Sequence, residues 1–303
     1  MSPRESPPAA GRPSPATGEM LVRTAPGLFV LLWSTGFIGA KLGLPYAEPL
    51  TFLILRFALA VALLAPLALG LGHRWPRNPR EFAHVATAGV LLHAGYLGGV
   101  FSAIHQGLPA GVVALIVGLQ PLATAVAAPR LLGERVTPRQ WLGFALGLAG
   151  VALVVWDKLR WEGALPAAFA WAALALASIT AGTLYQKRHS GAADLAAGSL
   201  IQFVASALVL APFAWWLESR AIVWSGEFLF ALGWLVLVLS LGAISLLYLM
   251  LRRGEAARVT SLFYLTPPVT AVLAWLAFGE TLGSTAVMGM GLAVTGVWLV
   301  MRG

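Results

Sequence analysis

The sequence predicts an all-α membrane protein: ten transmembrane helices built as two inverted five-helix repeats, with the N and C termini in the cytoplasm. Three observations predict it. The first is composition: 59% of the residues are apolar, 11% are charged and mean hydropathy is +0.82, whereas a water-soluble domain carries about a quarter charged residues. The second is an unequal distribution of Lys and Arg between alternate connections. The third is a register in which residues recur 146 positions apart.

Residues 1–24 are rich in proline, serine and alanine and lack an apolar core, so they read as a disordered cytoplasmic tail and not as a signal peptide. Beyond them the chain divides at charges, prolines and polar clusters. A hydrocarbon core roughly 30 Å thick, crossed at about 1.5 Å per helical residue, needs some 20 apolar residues. Spans of that length fall at about 26–44, 49–70, 81–103, 109–131, 138–156, 163–186, 194–217, 228–251, 256–278 and 283–301. The connections LPYAE, IHQGLP and GETLGS are too short for a folded domain and make the neighbouring helices antiparallel. Two units follow, 25–157 and 158–303.

With those spans, fifteen cations lie on one side: Arg4, Arg12, Arg23, Arg74, Arg77, Arg80, Arg130, Arg135, Arg139, Lys187, Arg188, Arg252, Arg253, Arg258 and Arg302. Lys41, Lys158, Arg160 and Arg220 lie on the other, and Arg56 falls inside a span. Positive charge stays cytoplasmic, so both termini are placed inside and the number of spans must be even. The net charge of +8 is scattered between apolar spans and forms no patch on a polar face, which argues against nucleic acid.

Slid by 146 residues, segment 119–154 falls on 265–300 without a gap and 14 of 36 positions are identical. Pro121 meets Pro267, Gly133 and Glu134 meet Gly279 and Glu280, and Gly150 meets Gly296. The same shift pairs Lys41 with Lys187, Glu48 with Asp194, and Phe57 with Phe203. Each unit holds an odd number of spans, so the second enters from the opposite side. Arg130, Arg135 and Arg139 flank the first Gly-Glu turn and no cation flanks the second, as inversion requires. Inverted repeats supply two nearly equivalent states, one open to each side, which is the basis of alternating access.

These residues resemble the drug/metabolite transporter superfamily, in its branch of tandem EamA domains. The resemblance covers about 26–302 and rests on LLWSTGFIGAKLGLPYAEPLTFLILRFALA in the first two helices, on the proline-containing fourth and ninth helices, and on Gly-Glu turns followed by Gly-rich helices. It implies ten helices around a cavity lined mainly by helices 1, 3, 4, 6, 8 and 9, and transport of small organic metabolites such as amino acids.

Several residues stand out as candidate substrate contacts. An arginine at a helix centre costs about 2.5–3.5 kcal/mol on insertion scales, so Arg56 either snorkels outward or ties helix ends together, or else meets an anion, a substrate carboxylate or Glu48. Its repeat partner is the neutral Gln202. His93 and Tyr96, three residues apart, share a helix face in the third span. A buried histidine is ordinarily satisfied by a carbonyl, but at this depth it can also bind substrate or carry a proton. Gln120-Pro121 and Thr266-Pro267-Pro268 sit at matching depths, where proline frees carbonyls that must be buried or line a wet cavity. Trp33, Tyr185 and Tyr264 are candidate cavity aromatics. Lys41 with Glu48, and Lys187 with Asp194, read either as alternating gates or as ordinary interfacial charges. Gly143, Gly147 and Gly150, with Gly289, Ala293 and Gly296, mark small faces on helices 5 and 10; close packing is the default reading and a homodimer interface the second.

No cysteine, HExxH, GxSxG or nucleotide-binding GxxxxGK[ST] is present, and all twelve Asp and Glu fall in the tail, loops or helix ends. These absences argue against an enzyme or an ATP-driven pump, and the resemblance implies the function expected here: a secondary, non-ATP transporter of small organic metabolites in the plasma (inner) membrane, an exporter of amino acids or related compounds, with no enzymatic activity, metal or cofactor. Without a deep carboxylate, it works by facilitated transport or exchange, or couples to protons through His93. The alternative is a flippase or scramblase for lipid or lipid-linked substrates, whose signature is a polar groove open to lipid.

Overall fold

The computed structural model describes residues 15–70, 74–108, 113, 116–155, 166–189, 194–254, 256–278 and 283–303. Among these every regular element is a helix, and the one extended pairing is an isolated bridge between Ala47 and Ile222. The helices are α1 (Pro15–Gly43), α2 (Pro49–Gly70), α3 (Pro79–His105), α4 (Gln120–Leu132), α5 (Pro138–Val155), α6 (Pro166–His189), α7 (Leu195–Leu217), α8 (Gly226–Arg253), α9 (256–278) and α10 (Ser284–Arg302). Of these α2, α3, α6, α7 and α8 are each long and apolar enough to cross a bilayer. For α2, α3 and α5–α10 the boundaries agree with the expected spans to within three residues. The tail needs a correction: α1 begins at Pro15, a residue suited to a first helical turn, so 15–24 are helical, while 1–14 lie outside the described residues. The Gly279-Glu280 turn, Lys158, Arg160 and the first part of the fourth span also lie outside them.

Packing follows the repeat. Helix α2 packs on α7 and α5 on α10; α3 packs on α6 as α8 does on α1, and α4 packs on α6 as α9 does on α1. Each of these pairings falls on itself or on another of them when helices are exchanged for those 146 positions away. Helices α2 and α7 run antiparallel: Leu50 and Thr51 at the start of α2 meet Glu218 at the end of α7, and Arg74 beyond α2 meets Asp194 ahead of α7.

Carboxylates tie these ends together. Glu218 accepts N–H bonds from Leu50 and Thr51, both at 2.7 Å, and caps the otherwise unpaired donors at the start of α2. Glu48 accepts the Ser219 N–H at 2.7 Å and its hydroxyl at 2.5 Å. At the opposite end Asp194 accepts the Arg74 N–H at 2.7 Å. Glu134 reaches across the repeats, accepting from Ala256 N at 2.9 Å and Ala257 N at 3.4 Å at the start of α9. The turn that aims it needs Gly133, whose φ of 70° suits a residue without Cβ.

Helices α5 and α10 pack backbone to backbone. A Cβ on Gly143 would lie 2.6 Å from Gly296 O, and one on Gly150 would lie 2.6 Å from Gly289 O. The two glycine faces read from the sequence therefore meet each other within one chain.

Two pairs of helix irregularities recur at the repeat spacing. Helix α3 widens to π-helix over Val90–Gly95 and α8 over Leu235–Ala243, segments that overlap under the 146-residue shift. Helix α9 tightens to a 3-10 turn over Leu262–Leu265 just before Thr266-Pro267-Pro268, and residues 118–119 form a turn just before Gln120-Pro121. The proline positions explain the second pair, because proline cannot donate to the preceding turn.

Candidate functional site

A cavity lies between α1, α2, α3 and α8 at the level of the π-helical turns. Trp33, Arg56, His93 and Tyr96 line it together with Leu235 and Leu239. Its open space is about 50 Å³, room for a few water molecules and too small for a whole metabolite in this conformation. The Trp33 and Tyr96 rings stack at 6.4 Å with their planes 10° apart, and both rings also line a smaller adjoining cavity with Thr266 and Pro267. The Thr266 hydroxyl has no partner. Ser34 Oγ donates to Thr266 O at 3.3 Å, joining α1 to the irregular part of α9.

Arg56 is buried, 3% exposed, so the outward snorkel is not what the structure adopts. Its Nε donates to Ser240 Oγ at 2.9 Å, and Ser240 Oγ in turn donates to Leu235 O inside the π-helical turn of α8. No Asp or Glu lines this cavity. Among the described residues that line the cavity no carboxylate faces the guanidinium, whose Nε is held by a neutral hydroxyl.

His93 is buried, with Nε2 3.0 Å from Tyr248 Oη; its Nδ1 has no partner. The Tyr248 hydroxyl donates to Gln202 Oε1, and Gln202 Nε2 donates to Gln186 Oε1 at 2.9 Å. This chain of buried polar groups runs from the central cavity toward a second pocket lined by Gln186, Gln202, His84, His189 and Arg252, at the end of the bundle that holds Asp194 and Arg74. The side chains that carry it come from α3, α8, α7 and α6.

The other expected residues distribute differently. Tyr185 does not join the central cavity; its hydroxyl lies 2.6 Å from His84 Nδ1 and its ring packs on His189. Tyr264 is fully buried against α5, where a Cβ on Gly147 would come within 2.4 Å of its ring, and its hydroxyl has no partner. Gln120 is buried and donates to Thr183 Oγ1 at 3.2 Å, tying α4 to α6. Pro121 opens α4 beside it, and Pro267 and Pro268 follow the 3-10 turn of α9. Lys187 donates to Leu251 O at 2.7 Å and Gly254 O at 2.5 Å, so its ammonium caps the end of α8, while Asp194 holds Arg74. Glu48 is engaged by Ser219, and the Lys41 side chain lies outside the described residues.

Ser240, Tyr248 and Gln186 were not anticipated, nor were the π-helical turns. A usable signal existed: each is a polar residue within an otherwise apolar span. Nothing in hydropathy or periodicity marks a π-turn.

A polytopic bundle of paired helices around a small, largely apolar cavity that holds a buried cation, with carboxylate ties at the bundle's ends, is the construction of a membrane transporter. Residues 27–156 and 166–302 each match the EamA-like transporter family, and the chain belongs to that family as a multi-pass protein of the inner membrane. It is 28% identical over 277 residues to the uncharacterized inner membrane transporter YedA of Escherichia coli K12, covering 90% of this chain and 88% of the relative. It is 27% identical to a probable amino-acid metabolite efflux pump of the same strain, covering 91% and 93% of the two chains. A probable terminal-alkyne amino-acid exporter of Streptantibioticus cattleyicolor is 28% identical, with 91% of each chain covered. A solved protein structure shares the fold with a TM-score of 0.77 at 22% identity, covering 92% of this chain and 95% of that one.

Proposed function

We propose that the protein is a secondary transporter that exports amino acids or related carboxylate-bearing metabolites by alternating access, through ten spans arranged as inverted repeats with both termini in the cytoplasm. The observation that carries the substrate class is Arg56, a buried cation in a cavity whose lining contains no acidic residue. The names of two relatives point the same way. Trp33, His93, Tyr96 and Thr266 contribute to binding in this reading, with Gln120 at the break in α4. Antiparallel α2 and α7, with equivalent carboxylates Glu48 and Asp194 tying opposite ends, support the inverted topology. Those two ties are the gates: each holds one end of the α2–α7 pair closed and is released in one state. Lys41 and Lys187 belong to the same two ends.

A flippase would need a polar groove facing lipid. The groove between α1, α8 and α9 that includes Ile38, Leu42, Phe230, Trp234 and Leu273 is apolar, which favours the soluble-metabolite reading.

The test is resistance of an overexpressing strain to a panel of toxic amino-acid analogues, followed by direct efflux from vesicles and by flux of labelled lipid in the same vesicles. Export of an amino acid or analogue supports the proposal. Silence with every soluble solute alongside lipid flux sinks it.

A further inference from the structure

The hydrogen bonds beneath the cavity fix more than its shape. A carbonyl oxygen only accepts, so at the Tyr248–Gln202 contact the phenol must supply the proton. With Gln202 Nε2 donating to Gln186 Oε1 at 2.9 Å, Oε1 is left for Tyr248. The phenol has one proton and has given it away. At the 3.0 Å contact with His93 Nε2 the phenolic oxygen can therefore only accept, and Nε2 carries the proton. A neutral imidazole protonated at Nε2 has a bare lone pair at Nδ1, and that atom is buried without a partner. The cavity thus combines one fork of donors, on Arg56, with one unsatisfied acceptor, on His93, and two stacked rings beside them.

Resting on the transporter reading above, we infer that this cavity recognises both charged groups of a free α-amino acid. The carboxylate pairs with Arg56, and His93 Nδ1 accepts an N–H from the α-ammonium. The substrate side chain, apolar or aromatic, lies against Trp33 and Tyr96. Tyr248 and Gln202 are positioning residues: they touch no substrate and act by holding His93 in the accepting tautomer. A deaminated acid leaves Nδ1 unsatisfied, and a decarboxylated amine brings a second cation to Arg56 with no anion between them.

The experiment measures apparent Kd from ligand-induced Tm shifts of the detergent-solubilised full chain, using two matched sets: leucine, 4-methylpentanoate and 3-methylbutylamine; phenylalanine, 3-phenylpropionate and phenethylamine. The amino acid of at least one set should bind about tenfold or more tighter than its deaminated acid, the difference expected for one lost charge-assisted hydrogen bond, and the amines should not bind. Tyr248→Phe removes the acceptor for His93 Nε2–H and should shrink that ratio to about twofold while leaving the affinity of the deaminated acid unchanged, a pattern that general destabilisation does not produce. Equal binding of amino acid and deaminated acid by the natural chain, which requires no variant to fold, overturns this inference alone. So does a Tyr248→Phe protein that keeps the full ratio. Silence with all six compounds overturns both this inference and the amino-acid reading on which it rests.

Discussion

Arg56 donates its Nε–H to Ser240 Oγ at 2.9 Å and so anchors the cation carried by α2 to the π-helical turn of α8. The contact joins the two repeats at the cavity wall. In the proposed transport reaction a substrate carboxylate on the guanidinium would pull on that turn, and π-turns inside helices are frequent at functional sites. Replacing Arg56 by Gln, the residue at the equivalent place in the second repeat, should lower apparent substrate affinity by about 10- to 100-fold, the range for a lost charged hydrogen bond. Lys restores the charge without the fork and should recover part of it. Vesicle efflux across a concentration series measures both. Undiminished efflux by a folded Arg56→Gln protein would show that the cation is structural.

Much of this architecture was legible before any coordinates. Arg56 and His93 stand out because a titratable side chain inside an apolar span is costly, and cost marks a site whatever the packing. Span boundaries were legible at charges and prolines. Helix phase was not: Tyr264 faces Gly147 of α5 and Tyr185 faces His84, because a helix that is apolar all round gives no preferred side from which to read its buried face. The partners of the charges at the helix ends were not legible for a related reason. Lys187 and Asp194 are close in sequence, yet backbone groups at the ends of α8 and α2 offer partners fixed by the fold, and each side chain takes one of those.

Glu48 should give the end of the bundle where it meets Ser219 a pH-dependent stability. The Ser219 hydroxyl, more than any other influence, holds its carboxyl below the ordinary glutamate value of 4.5, and the Ser219 N–H acts in the same direction. A group whose value is lower in the folded state contributes stability above the unfolded value and loses it as pH falls through the folded one. The site is largely open to solvent, so the contribution is at most about 1 kcal/mol. Glu48→Gln should therefore lower Tm at pH 7, and the gap from the natural chain should close on acidification below pH 4.5. A gap that stays constant from pH 7 to 3.5 would contradict the assignment.

Glu134 caps α9 from the other repeat, so its loss should be felt at a distance in sequence. Glu134→Ala removes an acceptor from the first turn of α9 and should destabilise the protein by about 1 kcal/mol, the usual effect of losing a helix cap. Amide exchange should rise at Ala256 and Ala257 before it rises near residue 134. Unchanged protection there would mean that the bond does not persist in solution.

The α5–α10 contact predicts a steric failure. A Cβ on Gly296 would lie 2.5 Å from Gly143 O and 2.5 Å from Gly147 N, backbone atoms that cannot swing aside. Gly296→Val should separate the helices and reduce the yield of folded protein severely, whereas Gly291→Ala, where a Cβ meets nothing within 4 Å, should be tolerated. Size-exclusion profiles of both variants report the outcome. If Gly296→Val instead converts a folded dimer into a folded monomer, these glycines serve an interface between chains.

The inverted topology has a direct test because the chain contains no cysteine. Glu48 and Asp194 are equivalent under the 146-residue shift, and each ties the start of its helix to the chain beyond its antiparallel partner. In a bundle set in the membrane by its positive side, these two ties must lie in different compartments, since α2 separates Glu48 from Arg74, the partner of Asp194. Glu48→Cys should react with a membrane-impermeant maleimide added outside intact cells. Asp194→Cys should resist it until the membrane is opened. Arg77→Cys, at an exposed position in the connection that meets Asp194, should follow Asp194 and guards against a tie that merely hides the thiol. Labelling of positions 48 and 77 from the same side would remove the basis for alternating access by exchange of two inverted repeats.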